Sequence, residues 1–231
     1  MVVSAHHLVR TTMSGRVSEM TNISLIKQGL TTALGPDPSD PTNPSGWGPR
    51  PDLPSVRYVG NLRAVFRLIA QNVTSGHLTP LDDIATIHFA RWVILPGDQQ
   101  LLFTSNFDGS YEQYIHDFVT VANSGAPSRD NAQGVKWMDL IWGHCVGYPG
   151  TDDFPAFLDY IQQGLVETTL WFPTIDDVTV RDTAWLQEFR SLFVAFDQAF
   201  QATPRSSVPA SLLAAYDALK LGINRIDVRD V

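Results

Sequence analysis

The chain is poor in cysteine, in charge and in long apolar runs, and each scarcity removes a class of protein. One residue in 231 is a cysteine, Cys145, so no internal disulfide can form, and the usage fits a reducing compartment. Lys and Arg number 16 against 24 Asp and Glu, and the net charge of −8 argues against nucleic acid as the main partner. Phosphate backbones need clustered cations, and no basic run with interleaved aromatics occurs. No window approaches the roughly 18 consecutive apolar residues of a membrane-spanning helix. The opening residues, MVVSAHHLVRTTMSG, lack the apolar stretch of a secretory leader. On these grounds a cytoplasmic protein is expected. HExxH, CxxC and EF-hand patterns are missing, and so are GxGxxG, the P-loop and the GxSxG elbow. Those absences argue against the common metal-, nucleotide- and serine-dependent chemistries.

What remains is an ordinary folded composition, 44% hydrophobic and 17% charged, long enough for one large domain or a domain with extensions. Residues 1–19 are polar and irregular, and read as a flexible N-terminus. A domain over 20–180 follows, interrupted at 35–54 by GPDPSDPTNPSGWGPRPDLP, which holds seven of the fifteen prolines. So many residues without a backbone donor forbid helix or central strand. Trp47 within this loop is expected to anchor it to the body, because an indole is a large apolar payload. Residues 181–231 read as a C-terminal helical extension packed on the same domain.

Thr86 to Val119 is the most telling segment: an apolar run rich in Ile, Phe, Trp and Val, a Pro-Gly-Asp turn, a second apolar run, then a helix. Ser110 with Gln113 three residues later supplies the helix-start signal. Around it, Met20–Lys27 reads as a strand. Val56–Val73 reads as an amphipathic helix burying Val59, Leu62, Phe66, Ile69 and Val73. Met138–Pro149 and Glu167–Ile175 read as strands, with a short helix at 153–165 between them. Trp185–Phe200 reads as a helix with an aromatic stripe, and the tail from Ser211 starts helical. The order predicts an α+β fold: a ferredoxin-like β-α-β-β-α-β sheet with an extra strand and C-terminal helices.

Alternation places Ile87, Phe89, Arg91, Val93 and Leu95 on one face of the second strand, and His88, Ala90, Trp92 and Ile94 on the other. Both faces are largely apolar, yet the helices of this arrangement cover one. The other needs a second sheet, the C-terminal helices or a ligand. A face-to-face homodimer is the simplest cover.

The runs IHFARWVIL and LLFTSNFDGSYEQYIHDF, with VGYP and TTLWFP further on, resemble a bacterial family of uncharacterised activity. That family is similar to the dimeric α/β-barrel superfamily, over roughly residues 20 to 180. The Pro-rich insert and the aromatic C-terminal part depart from its pattern. The superfamily includes dye-decolourising peroxidases, chlorite dismutases, small monooxygenases and stress-response dimers. In its haem members the cofactor lies against the open sheet face, held by an axial His with an Arg nearby. The resemblance therefore implies a dimer, and poses haem as a question for this chain's own residues.

His88 is the leading candidate, as haem ligand or proton relay, with Trp92 beside it on the cofactor-binding face. The structural alternative is a core histidine bonded to a neighbouring element. Arg91 would orient an anionic group, or else form an ion pair with Asp108 or Asp117. Asn106, in the Ser105–Ser110 turn, would orient substrate or water, although Asn, Asp, Gly and Ser are also what such a turn requires. His144 and Cys145, adjacent on an expected strand, point apart and make a poor nucleophile–base pair. His116 reads as a surface partner of Glu112, and His6 and His7 as terminus. Asp152, Asp153, Asp176 and Asp177 read as loop punctuation rather than metal ligands.

The resulting expectation is an oxidoreductase, peroxidase- or monooxygenase-like, holding haem or a small hydrophobic substrate in an apolar pocket on the open sheet face. His88, Arg91 and Asn106 would be its catalytic residues. The alternatives are a non-catalytic dimeric binding or scaffolding module, and a cofactor-free monooxygenase or isomerase.

Overall fold

The computed structural model describes residues 12–14, 16–36, 38–39, 47–74, 84–122, 136–172, 178–202 and 210–227. His6, His7, Asp176 and Asp177 lie outside them. The chain divides into two compact units, Met1–Asp177 and Val178–Val231.

The first unit is α+β. In chain order it contains β1 (Thr12–Ser14), β2 (Val17–Leu25), β3 (Leu30–Thr31), β4 (Ala33–Gly35), β5 (Gly48–Arg50), β6 (Val56–Arg57) and α1 (Tyr58–Thr74). β7 (Ile87–Ile94), β8 (Gln100–Asp108), α2 (Tyr111–Asp117), a π turn (Phe118–Ala122), α3 (Trp137–Trp142) and α4 (Phe154–Gln163) complete it. The main sheet is antiparallel with order β1-β2-β8-β7. β2 and β7 thus run parallel with β8 between them, and α1 connects the two.

Alternation fixes which face is buried. β8 buries Leu101, Phe103, Ser105 and Phe107, while β2 sends Ser18, Met20, Asn22 and Ser24 to the same side. α1 covers that side with Val59, Leu62, Val65 and Leu68, so its buried stripe is turned slightly from the expected one; Phe66 and Ile69 sit at its edge. Tyr111, Tyr114, Ile115 and Phe118 are buried as the helical spacing predicts, and Ser110 caps α2 through Gln113 N at 3.3 Å. Phe103 lies at the centre, with ring centroids 4.8 Å from Trp92 and 5.4 Å from Trp142. Trp47 is packed against this core, and its loop begins and ends in the β4–β5 ribbon, where Ala33 pairs with Arg50.

Three expectations are corrected. The strand expected from Met20 is β2 and begins at Val17, inside the stretch read as flexible, and β1, earlier in that stretch, pairs with it. Met138–Pro149 is not a strand: α3 occupies its start, and only an isolated bridge from Cys145 to Ile26 lies against the sheet edge. Trp137, Met138, Ile141 and Trp142 are all buried, and that i, i+1, i+4, i+5 spacing is a helix burying one broad face. Glu167–Phe172 is irregular, with Leu170 and Phe172 more than 80% exposed, so no strand follows there among the described residues. The sixth element of the expected β-α-β-β-α-β order is therefore not a strand.

The second unit is a helical pair, α5 (Val180–Gln201) and α6 (Ala210–Asp227). Thr179 and Asp182 close a reciprocal capping box at the start of α5. Phe196 meets Tyr216 across the pair at 6.2 Å, but Phe193 and Phe200 are half exposed or more, so the aromatic stripe is narrower than its spacing suggests. Among the described residues no helix is long and apolar enough to cross a membrane.

Candidate functional site

β7 carries a bulge at His88. Ile87 stands opposite Phe107 and Phe89 opposite Asn106, so two steps on β7 match one on β8. The bulge is held from the core side. The Tyr114 hydroxyl donates to Ser105 Oγ, 2.5 Å away, and Ser105 Oγ donates to the Phe89 carbonyl at 2.8 Å. The extra residue resets the alternation. Ala90, Trp92 and Ile94 now pair with Ser105, Phe103 and Leu101 on the buried face, and Phe89, Arg91 and Val93 face outward.

His88 falls on the outward side, where its Nε2 lies 2.6 Å from Asp108 Oδ1. Both side chains are mostly shielded, at 18% and 14% exposure, which strengthens a charge-assisted bond without closing it to solvent. An ionised carboxylate only accepts, so Nε2–H is the donor of this bond, and in a neutral imidazole so held Nδ1 is the atom with the lone pair. Asp108 is itself fixed: its N–H donates to Thr86 O at 2.8 Å, and it stands opposite Val17. The register then lays out the outward face in rows. Asp108 is followed by Asn106 beside Glu19 and Phe89, then by Thr104 beside Thr21 and Arg91, then by Leu102 beside Ile23 and Val93. The face is polar at the His88 end and apolar at the other.

This placement reverses two expectations. Trp92 is not beside His88 but in the core, 4.8 Å from Phe103 and 6.1 Å from Trp142. Arg91 is not opposite His88 but shares its face. It is exposed and makes no ion pair among the described residues; Asp108 bonds His88 and Asp117 accepts from Gln113. His88, Arg91 and Asn106 are thus brought to one surface, and Trp92 is taken from it. Glu19, which the sequence reading assigned to the flexible N-terminus, is 5% exposed beside Asn106, with Oε1 lacking a hydrogen-bond partner among the described residues.

The residues do not fit a haem in the expected manner. Nε2, the usual axial donor, is occupied by Asp108, and the aromatic meant to line the cofactor faces the other way. Among the described residues no group of three or more His, Cys, Asp or Glu is placed to hold a metal ion. Asp152 pairs with Lys136 at 2.7 Å and Asp153 caps α4 through Ala156 N, the structural roles expected of them. His116 is exposed, with its ring 5.1 Å from that of Phe154.

His144 and Cys145 end α3 in a second, buried polar cluster. Burial pushes the Cys145 thiol up to about 12, so it is not a thiolate nucleophile at neutral pH. Burial likewise lowers His144 from its ordinary value; the carbonyls of Leu140 and Ile141 oppose the shift and the charge of Lys27 adds to it. His144 is therefore neutral in the native state near pH 7. A histidine with a depressed native value stabilises fully above the unfolded value, about 6.5, and that contribution is lost as pH falls towards the native value. The urea midpoint should drop between pH 7 and 5.5, and His144→Phe should flatten that drop. An unchanged pH slope in His144→Phe would mean another group titrates there.

Compared with protein families, with curated proteins and with solved structures, the chain finds no match.

Proposed function

We propose that the outward sheet face binds a small, partly apolar molecule and that His88 takes a proton from it. The single observation that carries this is the 2.6 Å bond between His88 Nε2 and Asp108 Oδ1. It fixes the tautomer and ring orientation, and it aims Nδ1, the basic atom, away from its own partner. Asn106 and Arg91, on the same face, supply a neutral and a cationic orienter. Leu102, Ile23 and Val93 supply the apolar bed. Such an arrangement suits proton transfer of the cofactor-free monooxygenase or isomerase type, and the superfamily that the chain resembles includes small monooxygenases.

The test is hydrogen–deuterium exchange into a panel of small cyclic ketones, followed by proton NMR. Positioned general bases contribute about 10²–10⁴-fold, so at least one ketone should exchange with a protein-dependent rate that falls by about 10²-fold or more in His88→Ala. Asp108→Asn should lose part of the rate, since Nε2 is no longer held as donor. Rates equal in wild type and His88→Ala would overturn the reading.

A second reading rests on Phe89, which is 74% exposed on this face, with Val93 and Leu25 exposed further along the same face. Such side chains suit a homodimer joined through the sheet, and the binding-module alternative predicts it. Phe89→Asp would then shift sedimentation from dimer to monomer, with His88→Ala leaving it unchanged.

A further inference from the structure

We propose that a separate cleft, at the opposite end of the β7–β8 hairpin from His88, binds a small phosphomonoester dianion. Its volume is about 380 Å³, and its walls come from the Lys27–Leu30 loop after β2, the start of α1, and the Gly97–Asp98 turn. That is the lower range of small-molecule sites, about 300–1,000 Å³, room for a phosphate and a short organic group.

Its charge is what identifies the ligand. In a chain of net charge −8, the cleft gathers Lys27 and Arg57. Its one carboxylate, Asp98, is neutralised from outside the cleft: Arg63 grips both its oxygens at 2.6 and 3.0 Å. The two lining cations are therefore in excess. Lys27 is also pre-positioned. Its ammonium donates to the Gly143 carbonyl at 2.8 Å and lies 5.7 Å from the centre of the Tyr58 ring, which fixes where its positive charge sits beside the cleft. No carboxylate pairs with it among the described residues.

The backbone adds to the same sign. α1 begins at Tyr58, directly after Arg57, and its first turn holds no acidic residue, so the positive end of the helix is uncompensated at the cleft wall. Gly29 and Gly97 both have positive φ, at 98° and 91°, and a Cβ on either would meet nothing within 4 Å. Bare backbone thus faces open space where a ligand would approach. Two cations on separate walls suit a tetrahedral dianion better than a planar monocarboxylate, and Val59 and Leu30 give the organic end an apolar contact.

Phenyl phosphate is the probe, titrated at low salt and followed by amide chemical shifts. Saturable shifts centred on Gly29, Val59 and Gly97, weakening as salt rises, are expected. Arg57→Glu should weaken binding at least tenfold. Arg57 has an exposed side chain, so Arg57→Ala, expected to fold as wild type, should also weaken it. Lys27→Met should do the same, with Lys27→Arg restoring part. Benzoate should bind more weakly than phenyl phosphate. Equal binding of benzoate would overturn the phosphomonoester assignment, and shifts insensitive to Arg57→Ala and Arg57→Glu would overturn the site.

Discussion

Trp142→Ala is expected to destabilise the first unit by about 3–5 kcal/mol, the usual cost of emptying a large aromatic site in a core. Trp142 is 2% exposed, and four aromatic rings contact it edge-on: Phe103 at 5.4 Å, Trp92 at 6.1 Å, and Phe118 and Phe157 each at 6.4 Å. These belong to two strands, the π turn and α4, so the indole is where the sheet and its covering helices converge. Truncation removes partners from every element at once, and a cavity so lined cannot close by moving one of them. Trp142→Phe separates this from simple loss of area. Indole Nε1 is buried without an acceptor among the described residues, so the phenyl variant gives up volume but also removes an unsatisfied donor. Its loss should be clearly smaller. Urea unfolding followed by near-ultraviolet circular dichroism gives both values. An alanine variant no less stable than the phenylalanine one would show that the aromatic cluster is not the core's centre.

The same region shows what sequence patterns can and cannot carry. β7, β8, α1 and α2 are set by local signals, namely alternation between turn residues, a 3.6-residue stripe and a Ser110 cap, and each forms as the type of element those signals predict, with the stripe of α1 turned and β7 bulged. α3 is different. WMDLIWGHCVGYP is short, apolar and bounded by Gly and Pro, and a buried strand and a buried helix look alike over so few residues. The i, i+1, i+4, i+5 spacing that marks the helix begins at Trp137, one residue before the run read as a strand. The His88 site was half readable. Histidine in an apolar strand marked the position, and the Asn106–Asp108 segment marked the neighbouring one. Which face they share depends on one extra residue in β7, and no glycine or proline between Ile87 and Ile94 announces a bulge. Its supports, Ser105 and Tyr114, are distant in the chain from His88 and visible only once β8 and α2 are in place. Because the extra residue shifts the alternation at one point, Ile87 and His88 changed sides relative to the residues after them, which put Arg91 on the face of His88 and took Trp92 from it.

Gly164→Ala should cost about 1–3 kcal/mol or somewhat more, the range for forcing extra atoms into a packed site. Gly164 follows α4, with φ of −88°, so an alanine is not excluded by its backbone conformation. Space excludes it instead. A Cβ there would lie 2.4 Å from Asn22 Nδ2 and 2.8 Å from the Ile23 carbonyl oxygen. The first is committed to a buried hydrogen bond, and the second is backbone of β2. Asn22, fully buried, donates to Ile161 O at 2.7 Å and accepts from Ser24 Oγ at 3.0 Å, which satisfies the polar stripe that β2 turns into the core. Ile23 N donates to Gly164 O at 2.8 Å, which closes the end of α4 onto the sheet. Relieving the clash therefore means breaking one of these bonds or lifting α4 off β2, and either leaves buried polar groups unpaired. Shortening the asparagine should not rescue the variant. In Asn22→Ala/Gly164→Ala the nearer obstacle is gone, but the Ile23 carbonyl, being backbone, remains, and the Ile161 carbonyl loses its donor. The double variant is expected to be no more stable than Gly164→Ala alone, measured by urea midpoints at pH 7. A double variant restored to the stability of Asn22→Ala would show that the side chain, not the close approach of β2's backbone, demands glycine at this position.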